Sequence, residues 1–118
     1  MAQTDVNKLI QDFERSRVQL SAIEQQNQQL SMQAGMLEEA LKELKDTKEE
    51  KVYKAAGSIL ILSEVKKVQK ELEEQKETVD LRSKTVKKQE ESLIDKLNKL
   101  KSEIETAQKG SKDSKGEN

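Results

Sequence analysis

The sequence contains no cysteine, histidine, tryptophan or proline. The absence of cysteine excludes disulfide bonds and thiolate chemistry. The absence of histidine removes the commonest metal ligand and the side chain best suited to acid–base catalysis near neutral pH. The sequence also lacks a glycine-rich phosphate-binding loop. We therefore predict that the protein is not an enzyme and that it uses no cofactor and no metal.

Aromatic residues make up only 2% of the chain and apolar residues 32%, whereas 38% are charged. This composition is too polar to wrap a compact globule around a large core, and it is typical of long helices or of disorder. The 22 basic and 23 acidic residues are interspersed, so no basic surface for nucleic acid is expected. The first residues, MAQTDVNKLI, do not have the basic and apolar pattern of a signal peptide, so none is expected, and no apolar run is long enough to span a membrane. We predict a soluble, cytoplasmic protein that binds neither nucleic acid nor membrane.

Apolar residues recur at steps of three and four through the first third of the chain. A heptad pattern sustained over this length predicts a coiled-coil helix, over about 4–48. Two positions of the seam are polar, Ser16 and Asn27. Asn27 either fixes the register of the coiled coil or is simply a tolerated polar site. The predicted seam consists of Val6, Leu9, Phe13, Ser16, Leu20, Ile23, Asn27, Leu30, Ala34, Leu37, Leu41 and Leu44.

A second helix is predicted over about 64–108, with a narrower seam. Its apolar residues recur every seven positions, and Leu97 and Ile104 widen the seam near the end. The tail 110–118 has no periodicity and is expected to be disordered. The sevenfold series is Val65, Leu72, Val79, Val86, Leu93, Leu100 and Ala107, with Val68 and then Gln75, Arg82, Gln89, Lys96 and Glu103 at the intervening positions.

Between the helices, residues 51–63 form a different kind of segment, KVYKAAGSILILS. Gly57-Ser58 separates two runs of strand-forming residues, which predicts a β-hairpin with a two-residue turn. An isolated hairpin is marginally stable in water, and an exposed apolar strand favours pairing with other chains. We therefore predict an assembly element. The alternative is one continuous helical rod through this segment.

This order of elements resembles the β-type subunit of prefoldin, an archaeal and eukaryotic co-chaperone. The resemblance covers about residues 5–108 and is closer to the archaeal proteins. It is carried by VYKAAGSILI at the hairpin and by DLRSKTVKKQEES in the second helix, chiefly Leu81-Arg82, Lys84-Thr85 and Gln89-Glu90. It implies a mainly α fold, in which an antiparallel two-helix coiled-coil hairpin carries a central β-hairpin that joins an intersubunit β-barrel. A single prefoldin-like domain over 1–109 follows.

The resemblance also implies a hexamer of two α-type and four β-type subunits. Such an assembly holds unfolded polypeptides without ATP and passes them to a group II chaperonin. Its assembly residues in this sequence would be Val52, Tyr53, Gly57, Ile59, Leu60, Ile61 and Leu62.

Substrate binding is expected at the free ends of the two helices, where there are more apolar residues than one seam requires. The competing interpretation is that these residues are seam members plus two exposed aliphatic side chains. A generic coiled-coil scaffold or tether is the main alternative function, and a nucleic-acid-binding arm is a weaker one. The candidate substrate-binding residues are Val6, Leu9, Ile10, Phe13, Leu93, Ile94, Leu97, Leu100 and Ile104.

Overall fold

The computed structural model describes the backbone of residues 3–116 and the side chains of residues 5–109. Its elements are helix α1 (Gln3–Asp46), strand β1 (Lys51–Ala56), strand β2 (Ile59–Glu64) and helix α2 (Val65–Gly116). Two long helices joined by an antiparallel β-hairpin confirm the predicted fold class. The continuous helical rod is wrong, because the strands interrupt the helix.

The observed bounds lie close to the predicted ones, with one larger difference. Helix α1 ends two residues before the predicted position, and β2 extends to Glu64. Helix α2 continues to Gly116 instead of ending near 108. Residues 110–116 of the tail predicted to be disordered therefore belong to α2, and residues 117–118 lie outside the described residues.

The chain divides into two compact units. We call Asn27–Thr85 the hairpin unit, because it contains both strands. We call Met1–Gln26 with Val86–Asn118 the terminal unit, because it contains both ends of the chain. The first part of α1 therefore shares a unit with the last part of α2, as expected when the two helices run antiparallel.

The β-hairpin forms as the sequence predicts, around a tight turn at Gly57-Ser58. Ala56 pairs with Ile59 across the turn, and the register runs without a bulge to Lys51 and Glu64. Gly57 has φ 62°, and no described residue other than glycine has positive φ. Glycine with positive φ at the first turn position is the pattern of a type II′ turn, whose twist matches that of paired strands.

The ends of the helices at the hairpin are closed by backbone hydrogen bonds. The Thr47 N–H donates to the carbonyl of Glu43 and completes the last turn of α1 at 3.0 Å. Strand β2 leads directly into α2, and the Val65 N–H donates to the carbonyl of Glu50 at 2.9 Å. One of the unpaired amides at the start of α2 is thereby satisfied without a capping side chain.

The α1 seam is confirmed by burial. Each of its predicted positions is buried or half-buried, and the exposed positions lie between them. Ser16 is the most buried side chain, at 1% exposure. Asn27 is half-buried and its Oδ1 is fully covered. Both polar residues therefore lie inside the helix pair, where a small or amide side chain replaces a large aliphatic one.

The α2 seam differs from the prediction at every second position after Val68. The predicted intervening residues Gln75, Arg82, Gln89, Lys96 and Glu103 are all exposed. From Val68 the covered positions advance by four to Leu72 and by four again, rather than by four and three. The extra four-residue step moves every second seam position after Leu72 one residue toward the C-terminus, as a one-residue insertion into a heptad repeat would. The residues that are buried or half-buried instead are Lys76, Ser83, Glu90, Leu97 and Ile104.

Each unit has its own small core. Val6, Val86, Leu97, Leu100 and Ala107 are buried in the terminal unit, together with Ser16. Leu30, Val65 and Val68 are buried in the hairpin unit. All of these buried residues belong to the helices, and neither strand contributes a buried side chain. None of the described helical segments is long and apolar enough to cross a membrane.

Candidate functional surfaces

The β-hairpin has two faces of different character. Side chains alternate between the faces along each strand, and directly paired residues share a face. One face, which we call the outer face, carries the pairs Tyr53–Leu62 and Ala55–Leu60. Tyr53 is 70% exposed and Leu60 is 68% exposed. An apolar strand face with this exposure is an aggregation hazard unless another chain covers it.

The opposite face of the hairpin, which we call the helix-side face, is directed toward α2. It carries the pairs Val52–Ser63 and Lys54–Ile61. Val52 and Ser63 are half-buried. The Lys54 ammonium donates a hydrogen bond to Glu71 Oε2 on α2 and forms an ion pair with it. This contact fixes which face of the hairpin is turned toward the helix.

The structure brings all seven predicted assembly residues together on this hairpin. Gly57 makes the turn, and Ile59 to Leu62 are exposed along β2. They do not share one face, because Ile59 and Ile61 lie with Val52 on the helix-side face, whereas Tyr53, Leu60 and Leu62 lie on the outer face. Val52 is half-buried, and the other five side chains are exposed in the single chain.

The nine predicted substrate-binding residues all fall in the terminal unit, but their exposure differs. Ile10 and Ile94 are exposed, at 37% and 39%. The other seven are covered in the helix pair, as expected for seam members. Val6, Leu97 and Leu100 are buried, and Leu9, Phe13, Leu93 and Ile104 are half-buried.

The hairpin unit also contains an open groove that sequence reasoning missed. It has a volume of about 680 Å³ and lies beside the hairpin, with Met36 and Leu37 on α1 and Val79 on α2 among its lining residues. Lys54 and Glu71 line it as well. Met36, an exposed apolar residue outside the α1 seam, is a sequence signal for an apolar surface here.

A second missed feature is a lysine at a seam position of α2. Lys76 is half-buried, and its ammonium lies 3.5 Å from Glu38 on α1 and 3.3 Å from Asp80 one turn further along α2. A hydrogen bond to Asp80, reinforced by the charges of both carboxylates, raises the pKa of Lys76 above its ordinary value. The aliphatic stem of a lysine covers apolar surface while its head reaches the acids, which explains its place in the seam.

Comparison with known proteins places this arrangement in a family. The family model described as "Prefoldin subunit" matches residues 7–111, which include both helices and the hairpin. The chain belongs to the prefoldin family.

Individual prefoldin relatives resemble the chain over most of their length. It is 38% identical over 93 residues to the prefoldin subunit beta of Archaeoglobus fulgidus, covering 78% of this chain and 80% of the relative. It is 30% identical over 103 residues to the prefoldin subunit beta of Thermococcus onnurineus, covering 86% and 89% of the two chains. The predicted resemblance to the β-type subunit is confirmed.

The solved structures agree with this assignment. The crystal structure of the prefoldin beta subunit from Thermococcus strain KS-1 matches with a TM-score of 0.82 at 28% identity. The match covers 87% of this chain and 91% of that one. The chain is therefore a prefoldin-family chaperone subunit that assembles with other prefoldin subunits.

Proposed function

We propose that this chain is a β-type subunit of an ATP-independent holding chaperone in the cytoplasm. Two α-type and four β-type subunits form the complex, and their hairpins build an intersubunit β-barrel. The complex captures unfolded polypeptides at the free ends of its coiled coils and delivers them to a group II chaperonin.

The exposed hairpin is the observation that carries this proposal. Tyr53, Leu60 and Leu62 lie on one face with no cover in the single chain. Both strands of the two-stranded sheet also have an unpaired edge. A barrel covers an apolar face and pairs both edges at once, which removes the two features that favour aggregation.

Substrate capture draws its support from the exposed isoleucines of the terminal unit. Ile10 and Ile94 are the two candidate residues that a non-native chain reaches without disturbing the seam. Fully burying an exposed side chain of this size is worth roughly 1.5 to 3 kcal/mol. Ile10 and Ile94 have only 37% and 39% of their surface left to cover, so each adds about 0.5 to 1 kcal/mol, which gives weak binding at a single subunit. Six subunits acting together raise the apparent affinity through effective concentration. Weak contacts that act together also permit release without ATP.

The competing function is a simple coiled-coil scaffold. The burial of Val6, Leu97 and Leu100 is what any two-helix coiled coil would have, and it favours no chaperone role by itself. A scaffold, however, has no use for an uncovered hairpin face such as that of Tyr53 and Leu60.

Native mass by light scattering tests the assembly. The chain would be measured alone and mixed with an α-type prefoldin subunit, and we expect the mixture to reach the mass of six chains. A mixture that shows only the separate components would contradict the proposed hexamer and favour the scaffold.

Suppression of aggregation, measured without ATP on a chemically unfolded client protein, tests the holding activity. We expect the double substitution Ile10→Ser with Ile94→Ser to lower the activity several-fold while assembly is unchanged. Val18→Ser is the matched control, since Val18 is also an exposed aliphatic residue of the terminal unit. It lies about 12 Å further along α1 than Ile10. Equal activity of the double variant and the control would rule out the two isoleucines as the binding site.

A further inference from the structure

The hairpin is held to α2 at two separate places. At its base, β2 continues directly into the helix, and the Val65 N–H bonds to the carbonyl of Glu50. Further out, Lys54 of β1 reaches Glu71, almost two turns into the helix. Lys54 is three residues beyond the start of β1, so the second place is about 10 Å from the base. Two attachments at this separation define the direction of a short strand pair, whereas one leaves it free to pivot.

The chemistry of the second attachment is that of a formed ion pair. Glu71 is half-buried, and the Lys54 ammonium donates to its Oε2. This hydrogen bond holds the pKa of Glu71 below its ordinary value, and the positive charges of Lys54 and Lys67 act in the same direction. Glu71 is therefore ionised at neutral pH.

The position of Lys54 in the register gives this contact a consequence for assembly. Lys54 pairs with Ile61 on the helix-side face, and the neighbouring pair Tyr53–Leu62 lies on the outer face. Holding Lys54 against α2 therefore turns Tyr53, Leu60 and Leu62 away from the helix. A surface that is already oriented loses less freedom on association and binds more tightly than one that pivots.

We propose that the Lys54–Glu71 ion pair is a positioning contact that holds the hairpin against its own helix and presents the outer face to the hairpins of other prefoldin subunits. Neither residue needs to contact the partner. The inference rests on the proposed role of the hairpin in assembly.

A charge-exchange cycle tests this role on the full chain mixed with an α-type prefoldin subunit. Lys54→Glu and Glu71→Lys each place like charges together, and we expect each to weaken association about threefold to tenfold. The double exchange, Lys54→Glu with Glu71→Lys, restores the opposite charges. We expect it to return association to within about twofold of the original. The recovery should be incomplete, because a lysine at position 71 lies one helical turn from Lys67 and is repelled by it.

Glu73→Lys is the matched control for the cycle. It makes the same charge change on α2 two residues away, at an exposed position. We expect it to leave association unchanged. Helicity by circular dichroism should be the same for all variants, and the neutral Lys54→Gln, which carries no repulsion, should show a smaller loss than Lys54→Glu.

The outcomes separate this proposal from the proposed assembly surface. Leu60→Ser with Leu62→Ser should abolish association if the outer face is the interface, and an unchanged mass would contradict the interface itself. If that variant fails to associate while Lys54→Glu associates like the original chain, the interface stands and the positioning role is wrong. Single substitutions that weaken association without recovery in the double exchange would also overturn the positioning role, because they would show that the side chains contact the partner directly.

Discussion

The hairpin and the helical ends of the terminal unit are both rich in aliphatic residues, but these residues are exposed in the hairpin and mostly covered in the terminal unit. Strand β2 leaves Ile59, Leu60, Ile61 and Leu62 exposed. The terminal unit buries or half-buries seven of its nine candidate residues. Apolar surface that stays uncovered must find another chain, whereas covered surface stabilises the subunit itself. With the proposed function, the same residue types would serve assembly in one region and subunit stability in the other.

The largest expected effect comes from removing the apolar surface of the hairpin. Substitution of Ile59, Leu60, Ile61 and Leu62 by Ser and Thr should abolish assembly with the α-type subunit and leave helicity largely intact, because these side chains are exposed and belong to β2 and to neither helix seam. Light scattering and circular dichroism measure the two effects. Loss of helicity with assembly retained would show that these residues stabilise the subunit and do not form the assembly surface.

The next largest effect should come from the buried seam of the terminal unit, where a substitution should lower the free energy of unfolding. Leu97 is 9% exposed in the terminal unit, and Leu97→Ala should lower the free energy of unfolding by about 2 to 4 kcal/mol, through lost burial and a partial cavity. Leu81→Ala is the control, since Leu81 is 59% exposed on the same helix. Its effect should be within about 0.5 kcal/mol in thermal or urea denaturation.

A Leu97→Ala variant as stable as the Leu81→Ala control would show that the seam is not packed near the free ends. That outcome would favour substrate binding by seam residues, including Val6 and Leu100, over binding by Ile10 and Ile94 alone.

The sequence was sufficient to predict the fold because two strong local signals coincide with its elements. The α1 seam repeats from Val6 to Leu44 with few interruptions, and a pattern of that length leaves one helical face to bury. Gly57 lies between two strand-forming runs, and its positive φ is the conformation that such a turn requires. Neither signal depends on contacts with the rest of the molecule.

The α2 seam could not be predicted fully, because three of its covered positions are polar. Lys76, Ser83 and Glu90 lie on the covered face, and a search for apolar periodicity passes over them. What places Lys76 there is an acid on each helix, Glu38 and Asp80, and the first is distant in sequence. Tertiary ion pairs of this kind leave no periodic trace in a single sequence.

The exposure of the candidate site residues follows the heptad register that the sequence predicts. Leu9 lies on the predicted seam and is half-buried, whereas the adjacent Ile10 lies off the seam and is exposed. The Lys54–Glu71 contact, in contrast, joins residues 17 positions apart on two different elements, and no local pattern predicts it.

Replacing glycine by alanine should have a smaller effect, unfavourable in the hairpin and favourable in α1. Gly57→Ala forces a side chain into a backbone with φ 62°, at a cost of about 1 kcal/mol, and should weaken assembly several-fold. Gly35→Ala lies within α1, where an added Cβ meets nothing within 4 Å. It should raise the free energy of unfolding by about 0.5 to 1 kcal/mol and leave assembly unchanged.

Light scattering at limiting concentration and thermal denaturation distinguish the two glycine variants. If Gly57→Ala assembled as well as the original chain, glycine at the turn would not be needed to present the hairpin, and the contrast between a hairpin that requires glycine and a helix that tolerates alanine would disappear.

The smallest expected effect is the pH dependence of the contact between the hairpin and α2. The hydrogen bond from Lys54 holds the pKa of Glu71 below its ordinary value, with Lys67 also facing the carboxylate. Because the folded-state pKa is depressed, the contribution of the pair is fully present above the ordinary glutamate pKa. It is lost as the pH falls through the lowered pKa.

At neutral pH the original chain should associate more tightly than Glu71→Gln, and this difference in association should vanish as the pH is lowered through the pKa of Glu71. Glu74→Gln, a second groove carboxylate on α2, is the control and should show no such convergence. A difference between Glu71→Gln and the original chain that persists in acid would mean that the Glu71 charge is not what positions the hairpin.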